Sequence, residues 1–204
     1  MITLLHVSAS PREASYSRKI GCALVERLSI AKPDMRVVER DLSRLPPPHP
    51  DKDFVDASLM PEADRRSAQI RALALSEILI DELEAAHIVV ISTPMHNFTV
   101  PSTLKAWIDY VVRPHRTFRN TLTGKIGLLQ NRPVFIVAAC GGSFEAGSTA
   151  QTDFLTPYLH YVFDTIGISN VEILRLENLN RGVAQVERAL TTARDWIEKQ
   201  PVTP

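Results

Sequence analysis

The sequence predicts an α/β fold built on a doubly wound parallel sheet. Three observations carry that expectation: short runs of Val, Ile and Leu that are apolar throughout, amphipathic helical stretches between them, and alternation of the two along the chain. An unbroken apolar run of strand length fits a strand covered on both faces, whereas an alternating one fits a half-exposed strand. Ile2 to Val7, His87 to Ser92, Val134 to Ala139 and Val171 to Leu176 read as buried strands of this kind. The more polar Met35-Arg36-Val37-Val38-Glu39-Arg40 reads as a fifth strand at a sheet edge. Helices fill the intervals. Ser17 to Leu28 places Ile20, Leu24 and Leu28 on one face, and Asp64 to Ala85 carries Leu73, Leu75, Leu79 and Leu83. Pro101 to Val112 opens on a proline of the kind favoured in a first turn, and Thr152 to Ile166 and Val183 to Lys199 complete the set. Right-handed crossovers follow for parallel strands joined in this way.

The chain has 204 residues, which suits one domain over 1–204 with a core large enough to need no staples. Lys plus Arg and Asp plus Glu both number 23, so nothing steers the whole molecule toward nucleic acid or an anionic membrane. No apolar run approaches the ~20 residues of a spanning helix. Met1 to Val7 lacks the basic segment of a signal peptide. The two cysteines, Cys22 and Cys140, form no CxxC pair, and the six histidines show no HxxxH spacing. No metal site or disulfide framework is expected, and a reducing, cytoplasmic compartment is the natural setting. Cys22 falls on the apolar side of the first helix by pattern, and Cys140 reads as a small buried side chain rather than a redox group.

Two stretches interrupt the rhythm. Leu45 to Pro61 contains Pro46-Pro47-Pro48-His49-Pro50, which favours extended polyproline geometry. Arg113 to Pro133 holds Gly124 and Gly127 between strand-like pieces, as a hairpin excursion would.

Ligands of an open parallel sheet bind outside the carboxyl ends of its strands, so the loops there carry the argument. The first holds Ser10, Ser15, Tyr16 and Ser17 ahead of a helix, without GxGxxG or a P-loop motif. Hydroxyls and free N–H groups at a helix start suit a phosphate, although Ser15 or Ser17 as a plain helix cap is an equal reading. The third strand leads into Pro94-Met95-His96-Asn97-Phe98, which suits a flat heteroaromatic ring or a simple proline-bracketed connector. The fourth leads into Cys140-Gly141-Gly142, which permits close backbone approach or an ordinary turn.

These loops, together with Pro101-Ser102-Thr103-Leu104-Lys105-Ala106-Trp107-Ile108-Asp109, Thr117-Phe118-Arg119 and Ile166-Gly167-Ile168, resemble the FMN-dependent NADH:azoreductase family of flavodoxin-like quinone reductases. The resemblance implies a flavodoxin-like sheet of order 2-1-3-4-5, a homodimer and one FMN per subunit. NADH or NADPH would be the donor and a quinone or azo compound the acceptor, alternating in one pocket. It implies that Ser10, Ser15, Tyr16 and Ser17 hold the phosphate. Pro94, Met95, His96, Asn97 and Phe98 would lie along the isoalloxazine, and Cys140, Gly141 and Gly142 would meet its other end. Phe118, on the projecting excursion, would border the substrate pocket. The hydride passes through flavin N5, so no residue need act as a nucleophile; His96 could supply a proton or simply pack. Two departures stand out: His96 replaces the usual Tyr, and Ala139-Cys140 replaces Ser-Arg. Arg116 and Arg119 are the candidates for a 2′-phosphate contact. A flavodoxin-type electron carrier and a regulatory module on the same fold are the alternative functions.

Overall fold

The computed structural model describes residues 1–144 and 150–200. Its main sheet has five parallel strands in the order β2-β1-β3-β6-β7. These are β1 (Thr3–Ser8), β2 (Arg36–Asp41), β3 (Ile88–Pro94), β6 (Val134–Ala139) and β7 (Val171–Leu176). Counted within the sheet alone this is 2-1-3-4-5, because β4 (Phe118–Thr121) and β5 (Gly124–Gly127) form a separate antiparallel ribbon. Side chains alternate between the two faces. Leu5, Val7, Val89, Ile91 and Ile136 enter one apolar cluster, with residues of α3 (Ser67–Ala85), α4 (Ser102–Val111) and α5 (Leu155–Thr165). Leu4, Val90, Phe135 and Val137 enter the other, beneath α1 (Tyr16–Ala31) and α6 (Val183–Lys199). Among the described residues no helix is long and apolar enough to cross a membrane.

Two local expectations change. Val171–Leu176 is an edge strand rather than a buried one: it pairs only with β6, and Glu172 and Arg175 are exposed. Leu45 to Pro61 is extended only in its first half, for Lys52–Leu59 forms a helix, α2. Asp51 caps it by accepting from the Phe54 amide at 2.8 Å. Phe54 and Ala57 face inward, and the Phe54 ring meets Tyr110 with centroids 4.4 Å apart. The proline run hides this short period-3 signal from a sequence reading.

The excursion is a hairpin, as expected, and it is tied to α3 by charge. Arg113 is 1% exposed and donates to Ser76 Oγ at 2.9 Å and to the Glu77 carboxylate. Arg116 pairs with Glu77, Asp81 and Glu84 on the same helix at 2.6–3.0 Å. Arg116 is therefore held by three carboxylates. Phe118 does not project as expected. Its ring is 6% exposed, with the Lys125 ammonium 5.0 Å from the centroid. The apolar groups that the ribbon presents are Leu122, at its tip, and Ile126, on the outer side of β5.

Candidate functional site

The loop after β1 is held from behind. Arg18, in the first turn of α1, donates to the Ser10 carbonyl at 2.8 Å, to Asp41 Oδ2 at 2.8 Å and to Ser43 Oγ at 3.2 Å. Partial burial raises the Asp41 carboxyl, but the bonds from Arg18 and Ser43 outweigh it and hold it well below the usual carboxylate range. This clamp anchors the start of α1 to the end of β2. Ser15 is the helix cap, its hydroxyl accepting from the Arg18 amide at 3.3 Å. Ser17 is different: its side chain is fully buried, and its Oγ has no partner among the described residues. A buried hydroxyl without a partner at a helix start is an unmet hydrogen-bonding group, of the kind that a bound anion satisfies.

Pro94 ends β3, and the Met95 amide continues the pairing by donating to the Ala139 carbonyl at 2.8 Å. A two-residue hairpin follows, closed by reciprocal His96–Thr99 backbone bonds of 2.9 and 3.1 Å. Its central residues, Asn97 and Phe98, have φ of 46° and 74°. Positive φ at both central positions is the type I′ arrangement. Asn tolerates it; for Phe it is strained, on the order of 1–3 kcal/mol, and such strain collects at ligand sites. Phe98 is also 53% exposed.

Cys140 turns inward. Its amide donates to the Leu176 carbonyl at 2.9 Å, and its Sγ lies 3.4 Å from the same oxygen. Burial, helped by Glu177, pushes the thiol up to about 12. Cys22 is exposed, against expectation, because the buried face of α1 runs through Ile20, Gly21, Leu24 and Val25 and leaves Cys22 just outside it. Both thiols are free. Iodoacetamide at neutral pH should therefore label Cys22 first by peptide mass spectrometry, with Cys140 protected while the fold is intact, since the thiolate is the reactive form. Equal labelling rates at the two sites would contradict the buried, protonated thiol.

A fourth loop, after β7, joins the other three, and sequence reasoning missed it. Asn178, Leu179 and Asn180 donate backbone bonds to the carbonyls of Gly142, Cys140 and Gly141 at 2.8, 3.2 and 3.4 Å. The Asn180 amide group occupies the space that a Cβ on Gly141 would fill. The available signal was the polar Asn-Leu-Asn-Arg segment directly after an apolar strand.

The four loops enclose one crevice. Its narrower part, about 220 Å³, is lined by Ser10, Ser15, Tyr16, Ser17, Pro94, Met95, His96, Cys140 and Gly141, with Arg12, Leu179 and Asn180 added. Its wider part, about 440 Å³, is lined by Met95, Asn97, Phe98, Gly141, Gly142, Gln151, Asn180 and Arg181. The two parts adjoin, sharing Met95, Gly141 and Asn180 as lining. Every cofactor-binding residue expected from sequence thus borders this crevice; Phe118 lines neither part.

A family model for the flavodoxin-like fold matches residues 2–200. The chain belongs to that family. This flavodoxin-like chain is 54% identical over 197 residues to FMN-dependent NADH:quinone oxidoreductase 2 of Cupriavidus pinatubonensis, covering 96% of both chains. It is 39% identical over 203 residues to FMN-dependent NADH:quinone oxidoreductase 4 of Pseudomonas fluorescens, covering 99% of this chain and 97% of the relative. Its structure superposes on that of an azoreductase from Bacillus anthracis with a TM-score of 0.86 at 26% identity, covering 98% of each chain.

Proposed function

We infer that this flavodoxin-like chain is an FMN-dependent NADH:quinone oxidoreductase that also accepts azo compounds. The observation that carries the reading is a pair of adjoining hollows, one lined by a hydroxyl cluster at a helix start and the other by strained and glycine backbone. The residues fit the cofactor: the partnerless Ser17 Oγ and the open N–H groups of the first turn of α1 suit a terminal phosphate, with the helix dipole adding to the attraction.

FMN, when bound, would supply the redox chemistry, which is hydride transfer between NADH and the acceptor. The chain's own work is positioning. Arg18 and Asp41 hold the loop after β1 in place, and Ser10, Ser15, Tyr16 and Ser17 would surround the phosphate. Pro94, Met95, Asn97 and Phe98 would lie along the ring, and Cys140, Gly141 and Gly142 would close its far side. His96 and Phe98, exposed at the rim, meet whichever substrate enters, and His96 can donate a proton to the acceptor. One entrance serves donor and acceptor in turn, which gives ping-pong kinetics.

Steady-state NADH oxidation with a small quinone tests the reading, since an electron carrier would turn over little. Ser17→Ala gives the sharper result. The Ser17 hydroxyl bonds nothing among the described residues, so the cofactor-free fold should keep its stability while FMN affinity falls by about 1.5–3 kcal/mol, the range for a hydrogen bond to a charged group. Unchanged affinity by fluorescence titration would remove Ser17 from the phosphate site.

The active unit is a homodimer of single-domain chains in the cytoplasm. Leu122, Ile126 and Leu128, exposed on or beside the hairpin, call for a covering surface. Sedimentation should show a dimer that Leu122→Asp weakens; a fully active monomer would overturn it.

A further inference from the structure

We propose that Arg181 tunes the bound cofactor by facing the negative charge it gains on two-electron reduction. The proposal rests on the FMN reading above and goes beyond holding the cofactor in place. Hydride transfer brings two electrons with one proton, so the reduced cofactor carries one more negative charge than the oxidised one. A cation close to the ring favours the reduced state and raises its potential.

Position is the first argument. Arg181 lines the wider part of the crevice together with Gly141, Gly142 and Asn180. The phosphate cluster lies in the narrower part, so Arg181 stands at the ring end.

Attachment is the second. The Arg181 amide donates to the Asn178 carbonyl at 2.9 Å, and Asn178, Leu179 and Asn180 are each bonded to the 140–142 turn. Asn178 takes φ of 61° to make this possible. The base of the Arg181 side chain is therefore fixed to the turn that closes the ring site.

Commitment is the third. Arg12, also near the carboxyl ends of the strands, lines the narrower part beside the phosphate cluster, and others nearby already have carboxylates. Arg18 is held by Asp41, and Arg175 by Asp153 at 2.8 Å and Glu177 at 3.3 Å. Glu177 in turn accepts from Ser143 Oγ and from the Phe144 amide at 2.8 Å. Among the described residues Arg181 has no ion-pair partner and no side-chain hydrogen bond. The turn itself offers no charge, since Ala139 is apolar and the Cys140 thiol is buried and stays protonated. Arg181 is exposed, so its field is screened by salt, which sets a modest size for the effect.

The test compares FMN-loaded wild type with Arg181→Gln and Arg181→Lys. In Arg181→Gln the affinity for oxidised FMN should stay within about twofold, while that for reduced FMN falls about tenfold. For a two-electron couple this is a midpoint potential lower by about 30 mV, read against a reference dye. The gap should shrink at high salt, and Arg181→Lys, which keeps the charge, should restore most of it. An unchanged potential in Arg181→Gln overturns the proposal. So does a Lys variant that behaves like Gln. A raised KM for NADH with an unchanged potential assigns Arg181 to the donor instead and also overturns it. Failure of the wild type to take up FMN, seen before any variant is made, overturns the functional reading itself and this inference with it.

Discussion

Gly127→Ala should lower stability by about 3 kcal/mol and loosen the β4–β5 ribbon from the sheet domain. α5 ends in a tight turn in which the Ile168 amide donates to the Phe163 carbonyl at 2.9 Å and the Gly167 amide to Asp164 at 3.0 Å. Gly167 takes φ of 100°, as the residue after a helix end of this kind requires. Gly127 lies directly on that turn. A Cβ there would overlap the backbone N and Cα of Gly167 and the carbonyl carbon of Ile166. Backbone held by its own hydrogen bonds cannot rotate aside as a side chain can, so the expected cost is at the upper end of the range for overpacking. The Leu129 amide bond to the Ile166 carbonyl, 3.0 Å, should be lost with it. Urea unfolding measures the loss, and limited proteolysis near Lys125 reports the ribbon. FMN affinity should change little, because the crevice stands on the ends of β1, β3, β6 and β7. A variant with an unchanged midpoint and an equally protected ribbon would show that the turn yields.

Glu77→Ala should cost about 3 kcal/mol, the lower end of the range for breaking a buried ion pair. The asymmetry of the pair decides the direction. The Arg113 side chain is 1% exposed and that of Glu77 is 41% exposed. Removing the carboxylate strands a buried guanidinium whose Nε already lacks a partner; water entering from the Glu77 side keeps the loss near the bottom of the range. The pair also has a pH signature. Burial raises the Glu77 carboxyl, but Arg113 and Arg116 outweigh it and leave it below its ordinary value of 4.5. A lowered carboxyl contributes stability that is fully present above the ordinary value and lost as pH falls through the lowered one. The stability gap between wild type and Glu77→Ala should thus be constant near neutrality and close under acid conditions. A gap that widened on acidification would contradict the assignment.

How far these features were legible depends on the range over which each is encoded. The inner strands β1, β3 and β6 are covered by helices on both faces, so each is dominated by Val, Ile, Leu, Phe and Ala, a signal that needs no knowledge of its neighbours, with His6 the one polar break inside β1. β7 deceived because Val171, Ile173, Leu174 and Leu176 set an apolar tone, while Glu172 and Arg175 reveal an open flank only once the strand is known to lack a second neighbour. Phe118 deceived for a related reason. A ribbon has an inner and an outer side, and sequence alone did not tell which side would face the domain.

What the sequence by itself determined is the alternation of strand and helix, the positions of three crevice-lining loops and the residue types they bring, since each is written within a few consecutive residues. What only the tertiary structure decided is which side chains remain unpartnered. Ser15 and Ser17 look alike in sequence, yet one caps the helix and the other is buried without a partner. Arg116 and Arg181 look equally free, yet Glu77, Asp81 and Glu84 hold the first while the second opens onto the crevice. Partnership is a property of distances across the fold, and those arise only when β7 folds beside β6 and the hairpin docks on α3, tens of residues away along the chain.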